Sequence, residues 1–306
     1  MDYNMKSSNA HKEKESRKIL EFGMDGNCSK IPIAMKIARP RSAGIFDGAV
    51  GISVAGRQTN IAIPNLDVTL DAGINAEKVL ERNLVISHFD ADHVEGIGRA
   101  MCNAVNRKSK LDIFLPSMKD HPQIKESIKK FKKSDKLHLI KMHEMVENET
   151  ESMQKDRRIT TFKVHHAPES LGYVISVKEK DGWKQKLTYT GDVDPGKMNM
   201  NIPEILESET VVIDGSLTGS LLSFLEPIIS SFTNHASTGD ITNLLKNENG
   251  KIKNVGIIHL PMIGCNSIKE DFENSFDKEN EDIFFLQSCR KGFDDPLNRM
   301  TSFAKI

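Results

Sequence analysis

The stretch SHFDADHVEGIG, residues 87–98, places four potential metal ligands, His88, Asp90, Asp92 and His93, close together in the chain. It follows an apolar run that predicts a short buried strand at 84–87, and a helix is expected after His93. Imidazole and carboxylate groups in this mixture suit zinc, manganese or iron, and a loop at a strand end can direct them into one space. The stretch therefore predicts a site for two neighbouring cations. The alternative is a solvated loop that caps the next helix, because aspartates are favoured at helix N-termini.

Strands and helices alternate around this stretch. Strands are predicted at 50–55, 59–63, 68–70, 111–115, 160–164, 172–177, 186–190, 211–214, 255–259 and 283–286. Helices are predicted at 76–81, 125–136, 238–246 and 268–276, and the charged stretch 144–158 is expected to be a surface connection. A strand-rich start followed by helix and strand alternation favours a two-layered sheet flanked by helices. The polar residues 1–45 are expected to form a partly flexible leader before one domain at 46–306.

Composition limits the class of protein. The 306 residues include 42 Lys and Arg against 43 Asp and Glu, a formal net charge of −1. This balance excludes a protein that coats nucleic acid over its whole surface, so a nucleic-acid site must be a local patch. No apolar run reaches the roughly 18 to 20 residues of a membrane span, and the opening residues lack a signal-peptide core. The four cysteines form no C-x-x-C pair, which is typical of reduced thiols. We therefore expect a cytoplasmic protein with no membrane partner.

Several segments resemble the metallo-β-lactamase superfamily, and short tRNase Z (ribonuclease Z) enzymes in particular. SHFDADHVEGIG resembles the superfamily signature H-x-H-x-D-H, and GRQTNIAIPNLDVTLDAG at 56–73 resembles the opening strands of the short tRNase Z enzymes. HAPESLGY at 166–173 and YTGD at 189–192 resemble the third motif and the Y-S/T-G-D strand end. HAST at 235–238 and IIHL at 257–260 resemble the H-x-S/T motif and the final ligand strand. The resemblance implies an αββα sandwich, two mixed β-sheets flanked by helices.

The resemblance also implies a complete set of metal ligands. One ion is then bound by His88, Asp90 and His166, the other is bound by Asp92, His93 and His259, and Asp192 bridges them. Two such ions can activate water, orient a phosphodiester and neutralise charge on the attacking and leaving oxygens. Asp71 resembles an outer acid that steadies the ligand loop. A simple turn aspartate is the alternative for that residue.

Two departures from the family pattern alter these expectations. Asp90 stands where the family usually has histidine, and a carboxylate ligand shifts the preference from zinc towards manganese or iron. We therefore expect two divalent ions, zinc or manganese, with iron as a further candidate. Only residues 167–191 separate His166 from Asp192. This leaves no room for the tRNA-binding arm that bacterial tRNase Z enzymes insert there.

Two groups of basic residues are candidates for a phosphate backbone. Six lysines crowd the predicted helix, and three further cations lie upstream, namely Lys125, Lys129, Lys130, Lys132, Lys133 and Lys136 with Arg107, Lys108 and Lys110. They predict a nucleic-acid contact, or equally an ordinary solvated helix face.

The preferred hypothesis is a two-metal phosphodiesterase, a tRNase Z-like endoribonuclease that acts on RNA 3′ ends. Asp92 is expected to orient the attacking hydroxide, and His235 to protonate the departing oxygen. Because the arm is missing, the second hypothesis is a metallo-hydrolase that acts on a cyclic nucleotide, a small phosphodiester or a lactone. A third hypothesis is a non-catalytic nucleic-acid-binding scaffold, although the ligand set counts against it. RNA, with precursor tRNA as a candidate, is the expected partner, and a homodimer is a candidate state because dimers are frequent among proteins of the resembled family.

Overall fold

Two β-sheets form the centre of this computed structural model. It describes residues 49–54, 58–74, 76–119, 121, 122, 124, 125, 137–166, 169–194, 197–215, 236, 251–259, 282–285, 304 and 305. The first sheet has the order β1 (Val50–Val54), β2 (Gln58–Ile63), β3 (Val68–Leu70), β4 (Asn83–Val85), β5 (Leu111–Pro116) and β6 (Ile140–Met145). The second sheet runs in sequence order from β7 (Thr150–Gln154) through β8 (Arg157–Lys163), β9 (Leu171–Glu179), β10 (Gly182–Tyr189), β11 (Thr210–Asp214), β12 (Asn254–Ile258) and β13 (Asp282–Phe285) to β14 (Ala304–Lys305).

Helical segments connect or cover the strands. Three α-helices have described bounds, α1 (Ala91–Val94), α2 (Ile97–Asn106) and α3 (Pro203–Leu206), and the described residues Pro122, Ile124 and Lys125 are also helical. Short 3₁₀ turns lie at Pro64–Leu66, Ala76–Lys78 and Leu137–Leu139. None of the helices within the described ranges is long and apolar enough to cross a lipid bilayer.

Alternating side chains divide the core into layers. In β5, Phe114 packs between the two sheets, whereas Ile113 and Leu115 pack outward against the layer that contains α2. In β11, Val212 likewise faces the space between the sheets, and Val211 joins the outer layer with α3. This arrangement confirms the predicted αββα sandwich of two mixed sheets flanked by helices.

Parallel pairing brings the carboxyl ends of neighbouring strands, and the residues that follow them, to one edge of each sheet. Strands β3 to β6 are parallel, and so are β10 to β13, so the carboxyl ends within each set meet at one edge of their sheet. Leu171 N–H donates to the Ser87 carbonyl over 3.0 Å, and the Tyr173 hydroxyl donates to the Ile86 carbonyl over 2.7 Å. These bonds join the two sheets beside the residues that follow β4.

Two predicted elements were wrong. The stretch 144–158, expected to be a surface connection, instead contains the end of β6, all of β7 and the start of β8. In β7 only Met153 is buried, so the strand lacks the apolar alternation that marks a half-buried strand in a sequence. The predicted helix at 76–81 is a single 3₁₀ turn at Ala76–Lys78. The predicted leader, the helices at 238–246 and 268–276, and most of 125–136 lie outside the described residues.

Candidate metal centre

The ligand loop, residues 87–90, leaves the end of β4 and leads into α1. β4 is buried along its length, and Ile86 N–H donates to the Phe114 carbonyl over 2.8 Å, so the loop starts from a fixed position. Asp90 has an extended conformation at the start of α1, and its side chain makes no capping hydrogen bond. The helix-capping alternative is therefore wrong for Asp90. Its carboxylate instead faces His88 and His166.

Asp71 is a fully buried carboxylate, just after β3, that receives four hydrogen bonds. It accepts the Ser87 backbone N–H over 2.7 Å, the Ser87 hydroxyl over 2.9 Å, His93 Nδ1–H over 2.5 Å, and the Tyr189 hydroxyl. Because Ser87 gives its one hydroxyl proton to Asp71, its oxygen accepts from His88 Nδ1, 2.9 Å away. One carboxylate therefore orients both imidazoles and leaves the Nε2 lone pair of each available to a metal.

The first group of ligand atoms belongs to His88, Asp90, His166 and Asp192. Asp90 Oδ2 lies 3.4 Å from His88 Nε2 and 3.6 Å from His166 Nε2. Asp192 Oδ2 lies 3.9 Å from His88 Nε2 and 3.7 Å from His166 Nε2. Ligands about 2.1 Å from a tetrahedral ion lie roughly 3.4 Å from one another, so this spacing suits one ion. The neighbouring imidazoles of His166 and His88 also hold the pKa of the Asp90 carboxyl far below its ordinary value.

The second group belongs to Asp92, His93 and His259. Asp92 Oδ2 lies 2.9 Å from His259 Nε2 and 3.7 Å from His93 Nε2. Asp192 faces this group as well, with Oδ1 3.3 Å from His93 Nε2 and Oδ2 3.3 Å from His259 Nδ1. The structure thus brings together all seven residues predicted as ligands, and Asp192 lies within 3.9 Å of histidine nitrogens in both groups.

Unpartnered atoms test whether a cation fits this centre. His88 Nε2, His93 Nε2 and Asp192 Oδ1 are buried and have no hydrogen-bond partner. Since His93 donates from Nδ1 to Asp71, its Nε2 lone pair faces Asp192 Oδ1 across 3.3 Å. Two lone pairs at this distance repel each other unless a proton or a cation lies between them. The donor set of imidazoles and carboxylates is one that zinc, manganese and iron accept, so the residues fit divalent cations.

The electrostatics of the centre also indicate that positive charge belongs there. Burial opposes ionisation of Asp192, yet the neighbouring His93 and His259 hold the pKa of its carboxyl well below the usual range. Burial also acts to lower the pKa of His93, but the carboxylates of Asp192 and Asp71 outweigh it and raise that pKa. The buried carboxylates therefore require nearby positive charge, either as protons on imidazole or as bound ions.

Asp214, at the end of β11, is a site residue that the sequence analysis missed. Its side chain is fully buried, and its Oδ1 lies 3.9 Å from His259 Nδ1. Its Oδ2 accepts the backbone N–H groups of Val193 over 3.3 Å and Ala236 over 3.4 Å. With Asp192 and His259 it forms a further group of ligand atoms within 4.8 Å of one another. An aspartate that ends an apolar strand, between the strands that lead to Asp192 and His259, was the signal that could have identified it.

The predicted nucleic-acid elements are only partly described. His235 lies outside the described residues, but Ala236 next to it donates to Asp214, so this part of the chain reaches the site. Lys125 is exposed, while Lys129, Lys130, Lys132, Lys133 and Lys136 lie outside the described residues. The exposed Arg107, Lys108 and Lys110 precede β5, at the edge of the sheet opposite the ligand loop. The structure does not bring these three cations to the metal centre.

Sequence comparison finds two plant proteins similar to part of this chain. The chain is 30% identical over 142 residues to tRNase Z TRZ2, chloroplastic, of Arabidopsis thaliana, a match that covers 42% of this chain and 38% of that protein. It is 28% identical over 140 residues to nuclear ribonuclease Z of Triticum aestivum, covering 42% of this chain and 76% of that protein. The chain thus matches well under half of the length of the Arabidopsis relative. No protein-family model matches it.

Solved structures share its fold at low sequence identity. The metallo-β-lactamase fold protein YhfI from Bacillus subtilis matches with a TM-score of 0.54 and 16% identity, over 79% of this chain and 96% of that one. Human tRNase Z, short form, matches with a TM-score of 0.55 and 12% identity, over 70% of this chain and 92% of that one. Zn²⁺-bound PqqB from Methylobacterium extorquens matches with a TM-score of 0.52 and 14% identity, over 74% and 95%. The chain therefore has the metallo-β-lactamase fold.

Proposed function

We propose that this chain is a metal-dependent phosphodiesterase with a tRNase Z-like activity on RNA 3′ ends. The observation that carries the proposal is the arrangement around Asp192. Two groups of ligand atoms face this one buried carboxylate. Three buried atoms there that could bind a metal, His88 Nε2, His93 Nε2 and Asp192 Oδ1, lack hydrogen-bond partners. The names of the two plant relatives support RNA as the substrate. The near-complete set of oriented ligands counts against a non-catalytic scaffold.

In the proposed mechanism the chain's own residues hold the reactants in place. Two divalent cations, zinc or manganese with iron as a further candidate, would supply the Lewis-acid chemistry that activates water and neutralises a phosphodiester. His88, Asp90 and His166 would hold one ion, Asp92, His93 and His259 the other, and Asp192 would bridge them. Asp92 keeps 13% of its side chain exposed. Burial acts against its ionisation, but the hydrogen bond from His259 helps to lower its pKa, so Asp92 is a carboxylate able to orient an attacking water.

A panel of substrates tests the proposal. The purified chain, supplied with manganese or with zinc, would be offered bis-p-nitrophenyl phosphate, a cyclic nucleotide and a 3′-extended tRNA in parallel. We expect metal-dependent cleavage with the highest kcat/KM on the extended tRNA, and loss of cleavage in Asp192→Asn. Absence of tRNA cleavage under every metal would overturn the RNA assignment.

A smaller substrate is the second candidate, and the connection between His166 and Asp192 favours it. Two strands, β9 and β10, occupy most of this segment and are joined by a tight hairpin at residues 180 and 181. The described residues 169–191 therefore contain no separate arm for the elbow of a tRNA. If the cyclic nucleotide or the small diester shows a higher kcat/KM than the extended tRNA, this candidate replaces the RNA substrate.

His235 is proposed as the general acid, because it is needed in neither ligand group and the chain beside it reaches Asp214. His235→Ala should lower kcat on RNA by about 10²- to 10⁴-fold, the usual effect of a positioned general acid. Its metal content, measured by elemental analysis, should stay unchanged. The defect should be much smaller on bis-p-nitrophenyl phosphate, because p-nitrophenolate leaves without protonation. Equal losses on both substrates would exclude the general-acid role.

A further inference from the structure

A group of side chains on the second sheet has no role in the metal centre. Trp183 in β10 lies directly opposite Lys178 in β9, and Arg158 in β8 lies opposite Ser176 in β9. Since Ser176 and Lys178 are two positions apart on one strand, all four side chains are on the same face of the sheet. The guanidinium of Arg158 lies over the Trp183 ring, 4.7 Å from its centroid. We call Arg158, Lys178 and Trp183 the hairpin face.

The hairpin face carries uncompensated positive charge. Neither Arg158 nor Lys178 forms an ion pair with any described residue. On the opposite face of the same hairpin the lysines are paired with carboxylates. Lys184 lies 2.7 Å from a Glu179 oxygen, and Lys186 lies 2.7 Å from an oxygen of Glu179 and from one of Glu209. The lysines of one face of the hairpin are therefore paired with carboxylates, whereas the cations of the hairpin face have no such partner among the described residues.

Trp183 gives the hairpin face an exposed aromatic surface. It is the only tryptophan of the chain, and it is 39% exposed. The patch is too small and too charged to resemble the apolar centre of a protein interface, since Trp183 and the distant Val146 are the exposed large hydrophobic residues of the described part. An aromatic ring flanked by cations is instead the combination that binds single-stranded nucleic acid, by base stacking and by attraction to phosphates.

We propose that the hairpin face binds a single-stranded segment of RNA, with Trp183 stacked on a base and with Arg158 and Lys178 on neighbouring phosphates. The choice of RNA over other single strands rests on the proposed function. Leu171, bonded to the ligand loop, and Lys178 are seven residues apart on β9, a span of about 23 Å. At about 3.4 Å for each stacked nucleotide, the RNA has to extend at least roughly seven nucleotides from the cleaved bond to reach Trp183.

Tryptophan fluorescence provides a direct test, because one residue gives the whole signal. The full chain would be titrated with a 12-nucleotide oligouridine in EDTA, which prevents cleavage, and circular dichroism would verify the fold. We expect quenching of the Trp183 emission on binding. Trp183→Ala, followed by fluorescence anisotropy of labelled RNA, should bind about 5- to 150-fold more weakly, which corresponds to a stacking contribution of about 1–3 kcal/mol. Trp183→Phe should restore most of the affinity.

Lysine variants supply the matched control. Lys178→Gln should weaken binding and reduce the slope of log Kd against log salt by about 0.7, the value for one phosphate contact on a single strand. Lys184→Gln makes the same charge change on the opposite face of the hairpin and should leave affinity and slope unchanged. Equal effects of the two variants, or binding without quenching, would overturn the proposal.

Substrate length separates this inference from the proposed function. Trp183→Ala should raise KM for RNA that extends beyond about seven nucleotides and leave cleavage of bis-p-nitrophenyl phosphate unchanged. A chain that cleaves RNA normally in every Trp183 variant, without quenching, would refute the hairpin face and keep the proposed function. Quenching by RNA in a chain that never cleaves RNA would refute the proposed function and keep the hairpin face.

Discussion

At the scale of single residues, Asp71 determines how the ligands are presented. It holds His93 directly and His88 through Ser87, so it serves one imidazole in each group of ligand atoms. In Asp71→Asn, one oxygen becomes an amide that cannot accept these hydrogen bonds. We expect the affinity for both ions to fall about 10- to 100-fold, as is usual when a partner of a metal-bound histidine is lost. Competition titration against a chelator of known affinity measures the change.

Asp67 is a matched control for this substitution. Asp67 and Asp71 both have positive φ angles, 55° and 56°, and asparagine tolerates this conformation as well as aspartate does. The Asp67 carboxylate also accepts hydrogen bonds, from Arg82 N–H and from the Gln154 amide, but it contacts none of the ligands. Asp67→Asn should therefore keep its metal affinity. Equal losses in the two variants would assign Asp71 a merely structural role.

At the scale of elements, close contact between the end of β10 and the ligand loop aligns the two sheets. Gly191 follows β10 with a φ of 60°, and a Cβ there would lie 2.5 Å from Ser87 Cβ and 2.6 Å from Ser87 Oγ. Gly191→Ala therefore strains the backbone and displaces the serine that connects Asp71 to His88. We expect the free energy of unfolding to fall by about 1–3 kcal/mol, and metal affinity to fall with it. Urea denaturation and chelator competition measure the two effects.

Gly182, at the hairpin between β9 and β10, is the control that distinguishes backbone strain from the contact between residue 191 and Ser87. Its φ is 120°, yet a Cβ there would meet no atom within 4 Å. Gly182→Ala should lower stability through backbone strain alone and should leave metal affinity unchanged. If the Gly191 variant binds metal as tightly as the Gly182 variant does, the ligand loop tolerates movement at Ser87.

The elements also show how far a sequence predicts this fold. Strands with apolar residues on both faces, such as β4 and β11, were predicted because burial on both faces leaves a continuous apolar run. β7 was missed because Met153 is its only buried side chain, so its pattern is that of a polar loop. The seven candidate ligands were found from motifs within short segments. Asp214 was not found, because its place beside His259 depends on strand pairing that no local motif reveals.

At the scale of the whole molecule, the candidate centre spans both sheets. His88 and His93 follow β4 of the first sheet, whereas His166, Asp192 and His259 follow strands of the second. Ions bound by both sets would link the two layers in the folded state, and the unfolded chain would not hold these ligands together. Binding to the folded state alone should therefore appear as added stability.

Thermal unfolding with and without metal tests this link. At a free metal concentration about 100 times Kd, each ion should add about 2.7 kcal/mol to the free energy of unfolding. Every added 1 kcal/mol should raise Tm by about 2–4 °C in a domain of this size. Zinc or manganese should therefore raise Tm by roughly 5 °C or more above its value in EDTA.

Asp192→Asn should lose most of this increase and most of both ions in elemental analysis, since Asp192 faces both ligand groups. Asp112→Asn changes an aspartate that pairs with His143 outside the centre, and it should retain the full increase. If the Asp192 variant kept both ions and the same rise in Tm, the bridging position would be wrong, and Asp214 would become the carboxylate to test in its place.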